Sequence, residues 1–390
     1  MWGRDGRTRR SAEGSISDLR KTMTLALLGI GTAVPEMVLS NDAAQRLARV
    51  LSYQDADRLS WLEALYKGIG CERRHICLDP RVFEDIFNGT RLTGSDYLPT
   101  GHPSDQGPTI GQRMREYHQT AGPLALQAAR AALTQSRVDP EEITHVVTVS
   151  CTGFTAPGVD IELIRGLGLP PSTQRTHVGF MGCHGALNGL RVAAAFTGAD
   201  PAARVLCCAV ELCGLHYFYG WDPQKIVANA IFADGAAAVI GVSAAKAPAG
   251  SWHLTASGTY LLPNSLDAMT WTIQDHGFEM TLSKQVPQLI GKYLRPWLSA
   301  WLQQQGVNIN DVGSWAIHPG GPRIVAAVEE ALNLPRSATA TAWEVFRDFG
   351  NMSSPTVLFI IDKLRQARAP RPCVAIGFGP GLTAEVALWQ

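Results

Sequence analysis

The chain has 390 residues, of which 46% are hydrophobic and 17% charged, so it can bury a large core. Its formal net charge is zero, which argues against a nucleic-acid-binding or membrane-surface protein, because both kinds of partner call for a basic excess. The eight cysteines form no CxxC pair, a pattern typical of reduced intracellular thiols. No apolar stretch approaches the ~20 residues that cross a bilayer. The sequence therefore predicts a cytoplasmic protein without a nucleic-acid or membrane partner.

Residues 1–22 differ in composition from the rest of the chain. They are rich in Arg, Gly and Ser and contain no apolar run, which argues against a secretory signal. We interpret them as a disordered extension, or as the product of an upstream start codon with Met23 as the natural start.

From Leu25 onwards, apolar strands alternate with helices. In chain order, we predict strands at 26–31, 144–150, 174–180, 204–210, 235–242, 314–317, 374–377 and 383–388. Helices are predicted at 39–66, 119–136, 161–167, 185–197, 287–305, 323–332 and 354–367, with a Gly/Pro-rich loop at 86–111. This alternation predicts a mostly parallel sheet with helices on both faces. Its twofold rhythm suggests two related halves, 23–245 and 246–390.

Cys183 is a candidate nucleophile because it lies between a predicted strand and a helix of small residues. The unpaired N–H groups at a helix N-terminus favour an anion there, and so favour a thiolate. A buried structural cysteine is the alternative, and it fits most of the other cysteines in the chain.

His318 and Asn351 are candidate partners of that thiol. An apolar strand ends at His318, and active-site residues of open α/β sheets gather at the carboxyl ends of strands. Asn351 follows Gly350 and precedes Met-Ser-Ser. Taken singly, the histidine could be a hydrogen-bonded core residue and the asparagine a helix cap. Together with Cys183, they suit a thiol–imidazole–amide site that folding assembles.

Five motifs, spread in order from about Leu25 to the last residue, resemble the type III polyketide synthases (chalcone synthase-like enzymes), in wording closer to bacterial members. They are Gly29-Ile-Gly-Thr-Ala-Val-Pro, Ile231-Phe-Ala-Asp-Gly-Ala-Ala-Ala, Ile317-His-Pro-Gly-Gly-Pro, Phe349-Gly-Asn-Met-Ser-Ser and Gly377-Phe-Gly-Pro-Gly-Leu-Thr. The resemblance implies a thiolase-like α/β fold, with two pseudo-repeated halves in an α/β/α/β/α arrangement, and a homodimer.

For the chemistry, the resemblance implies that Cys183 accepts an acyl group from an acyl-CoA starter, with a thiolate–imidazolium pair formed with His318. His318 and Asn351 would promote decarboxylation of malonyl-CoA by hydrogen-bonding the thioester enolate. Repeated condensation and cyclisation would follow. CoA thioesters are then the substrates, with no cofactor, no metal and no acyl carrier protein required.

Two alternatives stay open at this point. A ketoacyl synthase III would use the same three residue types but would condense once, onto an acyl carrier protein. A non-catalytic scaffold subunit would be expected to lose one of Cys183, His318 or Asn351, and all three are present.

The resemblance also implies residues that shape the cavity. Phe232 matches the family's aromatic residue between the CoA tunnel and the cavity, and the other matching positions are Met280, Trp271, His216, Cys213 and Ser353. Several of these depart from the plant pattern, so we expect a reshaped cavity and products of alkylresorcinol or pyrone type. Ala156 replaces the plant methionine that reaches the partner subunit. A basic cluster in the expected region suggests contacts with CoA phosphates by Lys67, Arg73 and Arg74.

Overall fold

The computed structural model describes residues 24–52 and 56–390. The predicted extension at 1–22 lies outside these described residues. Helices α1 to α11 span, in order, Asn41–Leu51, Ala56–Gly68, Pro80–Asn88, Ile110–Ser136, Val159–Leu167, Gly185–Ala199, Pro223–Ile231, Val286–Gln304, Pro322–Leu332, Ala340–Phe349 and Thr356–Gln366. Strands β1 to β13 span Leu25–Ala33, Met37–Ser40, Arg73–Ile76, His145–Ser150, Gln174–Gly179, Arg204–Leu212, Asp234–Ser243, Trp252–Leu261, Met269–Gln274, Gly277–Leu282, Ser314–Ile317, Cys373–Gly379 and Thr383–Trp389.

Nine of these strands form one sheet in the order β11-β12-β13-β8-β1-β7-β6-β4-β5. Only the pairs β11/β12, β4/β5 and β4/β6 are parallel within the described chain, so the predicted mostly parallel sheet was wrong. The prediction failed because antiparallel strands that are buried on both faces resemble parallel strands in sequence. Strand β7, for example, is covered almost throughout, so it has the continuous apolar run that is typical of parallel strands.

Helices cover both faces of the sheet. Helix α4 packs on β1, β6 and β7, and its approach to β1 is so close that a Cβ at Gly31 would lie 2.1 Å from the carbonyl oxygen of Ala128. On the other side, α6 contacts β4, β6, β7 and β13, while α11 contacts β11, β12, β1 and β7. Both of these helices therefore touch strands from the two halves of the sheet, and they join the halves into one core.

The remaining elements refine the predicted order. The helical pattern at 39–66 is divided between α1 and α2, and the predicted loop at 86–111 overlaps the end of α3 and the start of α4. The helices α3, α7 and α10 and the hairpin β9–β10 were not predicted. Of the helices that the structure describes, none is long and apolar enough to span a bilayer.

Candidate active site

Cys183 lies in a single turn, Gly182–His184, between β5 and α6. It is 6% exposed and stands directly before the N-terminus of α6, as the sequence predicted. The turn depends on Gly182, whose φ is +71° and whose added Cβ would lie 2.5 Å from Cδ of Pro380. An alanine here would be strained by its backbone conformation and would also clash with the proline ring.

Asn351 is held against Cys183 by backbone pairing. Its N–H donates to the carbonyl of Ile231 at 2.8 Å, and its carbonyl accepts from Ala233 at 2.9 Å, so it forms an isolated bridge with Phe232. The carboxamide Oδ1 accepts from the Ser353 N–H at 2.8 Å. This bond orients the amide so that its Nδ2 lies 3.8 Å from the Sγ of Cys183.

His318 follows β11 and is 1% exposed. Its backbone N–H donates to Ile376 of β12 at 2.8 Å, and the continuation of β12 packs on the turn that carries Cys183. A Cβ at Gly377, for example, would lie 3.0 Å from Cβ of His184. Neither ring nitrogen of His318 has a hydrogen-bond partner in the described chain. The fold therefore brings the end of β11 towards the turn that carries Cys183 and leaves the imidazole available to another group.

Burial opposes charge on both groups. It raises the pKa of the Cys183 thiol to about 11, although hydrogen bonds from Ser353 and Asn351 act in the opposite direction. It also lowers the pKa of His318 to about 3, with a smaller contribution from His184. The substrate-free geometry thus favours a neutral thiol and a neutral imidazole, and the thiolate–imidazolium pair stays a prediction.

Glu211 is a buried carboxylate that the sequence reasoning missed. It is 0% exposed, and desolvation raises its pKa. Its oxygens accept four hydrogen bonds, from Ser150 Oγ at 3.3 Å, Cys151 N at 2.9 Å, Thr152 Oγ1 at 2.7 Å and Ser354 Oγ at 2.5 Å. The only signal in the sequence is an acidic residue near the end of β6, after the apolar run at 205–210. Through these bonds Glu211 ties the end of β4 to the loop that carries Asn351.

A cavity of about 370 Å³ lies beyond Phe232, and five of the six residues predicted to shape it lie on its wall. They are Cys213, His216, Phe232, Trp271 and Met280. The sixth, Ser353, lies off this wall, with its Oγ 3.4 Å from Sγ of Cys151. Trp271 and Met280 face each other across the hairpin β9–β10.

Side-chain hydrogen bonds hold the hairpin in place. The indole N–H of Trp271 donates to the carbonyl of Cys151 at 2.6 Å. The Nε2 of His216 lies 2.6 Å from the carbonyl oxygen of Thr152, and its Nδ1 accepts a hydrogen bond from the backbone N–H of Phe278 at 3.0 Å. Burial lowers the pKa of His216 to about 3, so this histidine is a neutral link in the cavity wall.

The three predicted CoA contacts do not converge. Arg74 is fully buried, and its guanidinium lies 5.8 Å from the centre of the Tyr66 ring, a position that does not favour contact with a phosphate in solvent. Arg73 pairs with Asp348 at 3.1 Å, and Lys67 is exposed in the last turn of α2. None of the three lines the cavity.

A second, largely apolar groove of about 510 Å³ is lined by residues that lie close in the chain to His318 and Phe232. Gly320 and Gly321, just after His318, lie on its wall, as does Ile231, whose carbonyl binds Asn351. Lys284 and Arg323 also line it, and both are exposed. No group of three or more His, Cys, Asp or Glu residues in the described chain is placed to hold a metal ion.

Comparison with known proteins defines the class. A family model for the N-terminal domain of chalcone and stilbene synthases matches residues 13–245, and one for their C-terminal domain matches residues 253–390. The solved structure of PKS-I from the brown alga Ectocarpus siliculosus superimposes with a TM-score of 0.84, at 30% identity, over 94% of this chain and 98% of that one. The fold is therefore thiolase-like, and the chain has the architecture of a condensing acyltransferase.

Curated relatives agree. An alpha-pyrone synthesis polyketide synthase-like protein, Pks18 of Mycobacterium tuberculosis, is 32% identical over 378 residues, which cover 95% of this chain and 92% of that protein. The 3,5-dihydroxyphenylacetyl-CoA synthase of Amycolatopsis orientalis is 28% identical over 367 residues, or 93% and 92% of the two chains. This chain belongs to the chalcone and stilbene synthase family, the type III polyketide synthases.

Proposed function

We propose that this enzyme condenses malonyl-CoA repeatedly onto an acyl-CoA starter and then cyclises the chain, with Cys183, His318 and Asn351 as catalytic residues. One observation carries the assignment of residues. A buried thiol has an oriented carboxamide 3.8 Å from its sulfur, and the turn that carries the thiol packs on β12, whose Ile376 binds the backbone of His318, a histidine with an unpartnered imidazole. Each group has a use in acyl transfer that ordinary core packing would not require.

Loading is the first step. His318 accepts the thiol proton as the Cys183 sulfur attacks the starter thioester carbonyl. The carbonyl reforms, CoA leaves as its thiol after taking up the proton, and the acyl group is held as a cysteine thioester. Since burial disfavours either charge alone, the proton transfer forms a mutually stabilising ion pair only as the reaction proceeds.

Condensation follows. The carboxylate of malonyl-CoA leaves as CO₂, and its electron pair becomes the thioester enolate. The enolate oxygen accepts hydrogen bonds from Asn351 Nδ2 and from the His318 imidazole, which are donors held in place before the charge develops. The enolate carbon attacks the Cys183 thioester, and the thiolate is released. The chain is now two carbons longer and is carried on CoA, ready to be loaded again.

The groove that Gly320, Gly321 and Ile231 line is the proposed entrance for CoA thioesters. Its apolar wall suits the pantetheine arm, and its exposed cations, Lys284 and Arg323, suit the phosphates. Neither cation has an ion-pair partner among the described residues. We propose these two residues in place of Lys67, Arg73 and Arg74.

The product class proposed is a pyrone or alkylresorcinol. The relative described as serving alpha-pyrone synthesis supports the pyrone, while the flexible Met280 on the cavity wall supports an alkyl starter. The identity of the starter acyl group is the first property to determine by experiment.

A homodimer is proposed through an exposed apolar face. This face consists of Phe154, Phe180, Met181, Leu261, Leu266 and Ile273, each between 36% and 68% exposed. Phe154 and Phe180 lie 6.3 Å apart and both contact Phe278 of the cavity wall, so the face is continuous with the site. Patches of this kind mark protein interfaces. Light scattering should give twice the chain mass, and Phe180→Ser should shift the protein towards monomer.

Mass spectrometry of the products tests the function. The purified protein receives malonyl-CoA and a panel of starter CoAs, without carrier protein. Products bearing two or more extensions are expected. Turnover only when malonyl-carrier protein is supplied would favour a ketoacyl synthase III instead. In parallel, Cys183→Ala should abolish covalent loading of a radiolabelled starter, and label retained by that variant would refute the nucleophile.

A further inference from the structure

An ion pair spans the cavity wall away from the reacting groups. Lys225 Nζ lies 2.7 Å from Oε1 of Glu279, and both side chains line the cavity. The two side chains are 24% and 34% exposed, so the pair stands towards the open end, whereas Cys213 at 6% marks the closed one. Residues 103–106 also line the cavity, and all but Asp105 are exposed, so we take them as its open rim.

The pair joins the two elements that carry the residues on either side of the cavity. Lys225 is on α7, which ends immediately before Phe232, and Glu279 precedes Met280 on β10. No other hydrogen bond or ion pair connects α7 to the hairpin within the described residues. The other polar attachments of the hairpin face elsewhere. Trp271 binds Cys151, and His276 Nδ1 lies 2.9 Å from the Gly107 carbonyl oxygen at the hairpin tip.

The surroundings of the pair hold it in this position. The ammonium of Lys225 also lies 4.7 Å from the centre of the Phe218 ring, and Asn229 binds both backbone groups of Phe218 at 2.9 Å. The lysine head is therefore fixed by a ring and a carboxylate together. Because the two charges neutralise each other, a ligand in the cavity contacts the methylene groups of these two side chains.

We propose that the Lys225–Glu279 pair sets the length of acyl chain that the enzyme accepts, by holding the hairpin against α7 at the open end of the cavity. The inference rests on the proposed function. With the ion pair intact, an acyl chain that fills the cavity is stopped at this end of it. With the pair broken, the gap between α7 and β10 widens, and a longer apolar chain passes the rim at residues 103–106.

Starter selectivity tests this inference. The variants are Lys225→Met and Glu279→Gln, which keep side-chain length, and the charge-swapped double variant Lys225→Glu/Glu279→Lys. Glu142→Gln is the matched control, because the Arg204–Glu142 pair has similar exposure, 28% and 44%, and lies outside the cavity. The ratio of kcat/KM for a long to a short acyl-CoA is measured for each, with thermal unfolding to check the fold.

Both single variants should raise the long-to-short ratio about tenfold, the scale on which methylenes are discriminated in apolar pockets. The swapped variant should return it towards the wild-type value, and the control should not change it. An unchanged ratio in folded single variants would overturn the inference, as would a swapped variant that behaves like the singles. Either of these two results would leave the proposed function unaffected. A wild-type protein that condenses no starter would overturn the proposed function itself.

Discussion

Replacing Trp271 with glycine should lengthen the products. The indole packs against His216 and Phe278, with ring centres 5.8 Å away in both cases, and its N–H binds Cys151. Its removal opens space of roughly 150 Å³, about the volume of an engineered cavity that binds benzene. Added to a cavity of about 370 Å³, this is room for further two-carbon extensions or a bulkier starter.

The same substitution has a cost in stability. Loss of the indole contacts and of one hydrogen bond should lower the free energy of unfolding by ~2–4 kcal/mol, since Trp271 is only partly buried. Product masses and chemical unfolding are measured together, with Trp271→Phe as the control that keeps an aromatic ring but loses the hydrogen bond. A folded Trp271→Gly protein with an unchanged product profile would refute the placement of this side chain on the substrate cavity.

Three further predictions concern the nucleophile, its turn and the groove. Alkylation of Cys183 in the substrate-free protein should speed up about tenfold per pH unit between 7 and 10, because its pKa is raised to about 11 and the thiolate fraction grows with pH. A rate that is already level at pH 7 would instead show a preformed thiolate. Gly182→Ala should lower the free energy of unfolding by ~2–4 kcal/mol, more than Gly168→Ala, which has a similar φ of +70° but open space around it. Equal losses in denaturant titrations would rule out the clash with Pro380. Arg323→Ala should raise KM for CoA thioesters about fivefold with little change in kcat, as loss of one exposed phosphate contact implies, whereas Lys67→Ala should change neither. The reverse pattern would restore the prediction made from the sequence.

Features whose position follows from the local sequence pattern could be predicted from the sequence. The junction of β5 and α6 at Cys183 and the strand that ends before His318 follow from apolar runs and glycines, and β11 has the predicted bounds. The hairpin β9–β10 also had a signal that was overlooked. Apolar and polar residues alternate strictly through Met269–Gln274 and Gly277–Leu282, on either side of a two-residue turn.

Other features depend on packing between distant segments. The donors to Glu211 come from residues 150–152 and from Ser354, and no spacing within the sequence reveals that they meet. Arg74 was assigned to CoA phosphates because a basic cluster lies in the region that the family resemblance implies, yet β3 places it in the core beside Tyr66. The type of a side chain indicates the environment that it prefers, whereas its burial in the fold depends on which face of the strand it occupies.

The bridge between Phe232 and Asn351 limits how the enzyme can be diversified. The backbone of Asn351 forms hydrogen bonds with Ile231 and Ala233, the two neighbours of Phe232, so a substitution at position 232 that moves the chain also moves the amide beside Cys183. The hairpin, by contrast, has no backbone hydrogen bond to residues 231–233 or 351 in the described chain, and it is held through side chains such as Trp271 and His216. Substitutions there can alter the product without disturbing the proposed catalytic groups. Directed evolution of this scaffold should therefore accumulate its productive changes on the hairpin and leave position 232 alone.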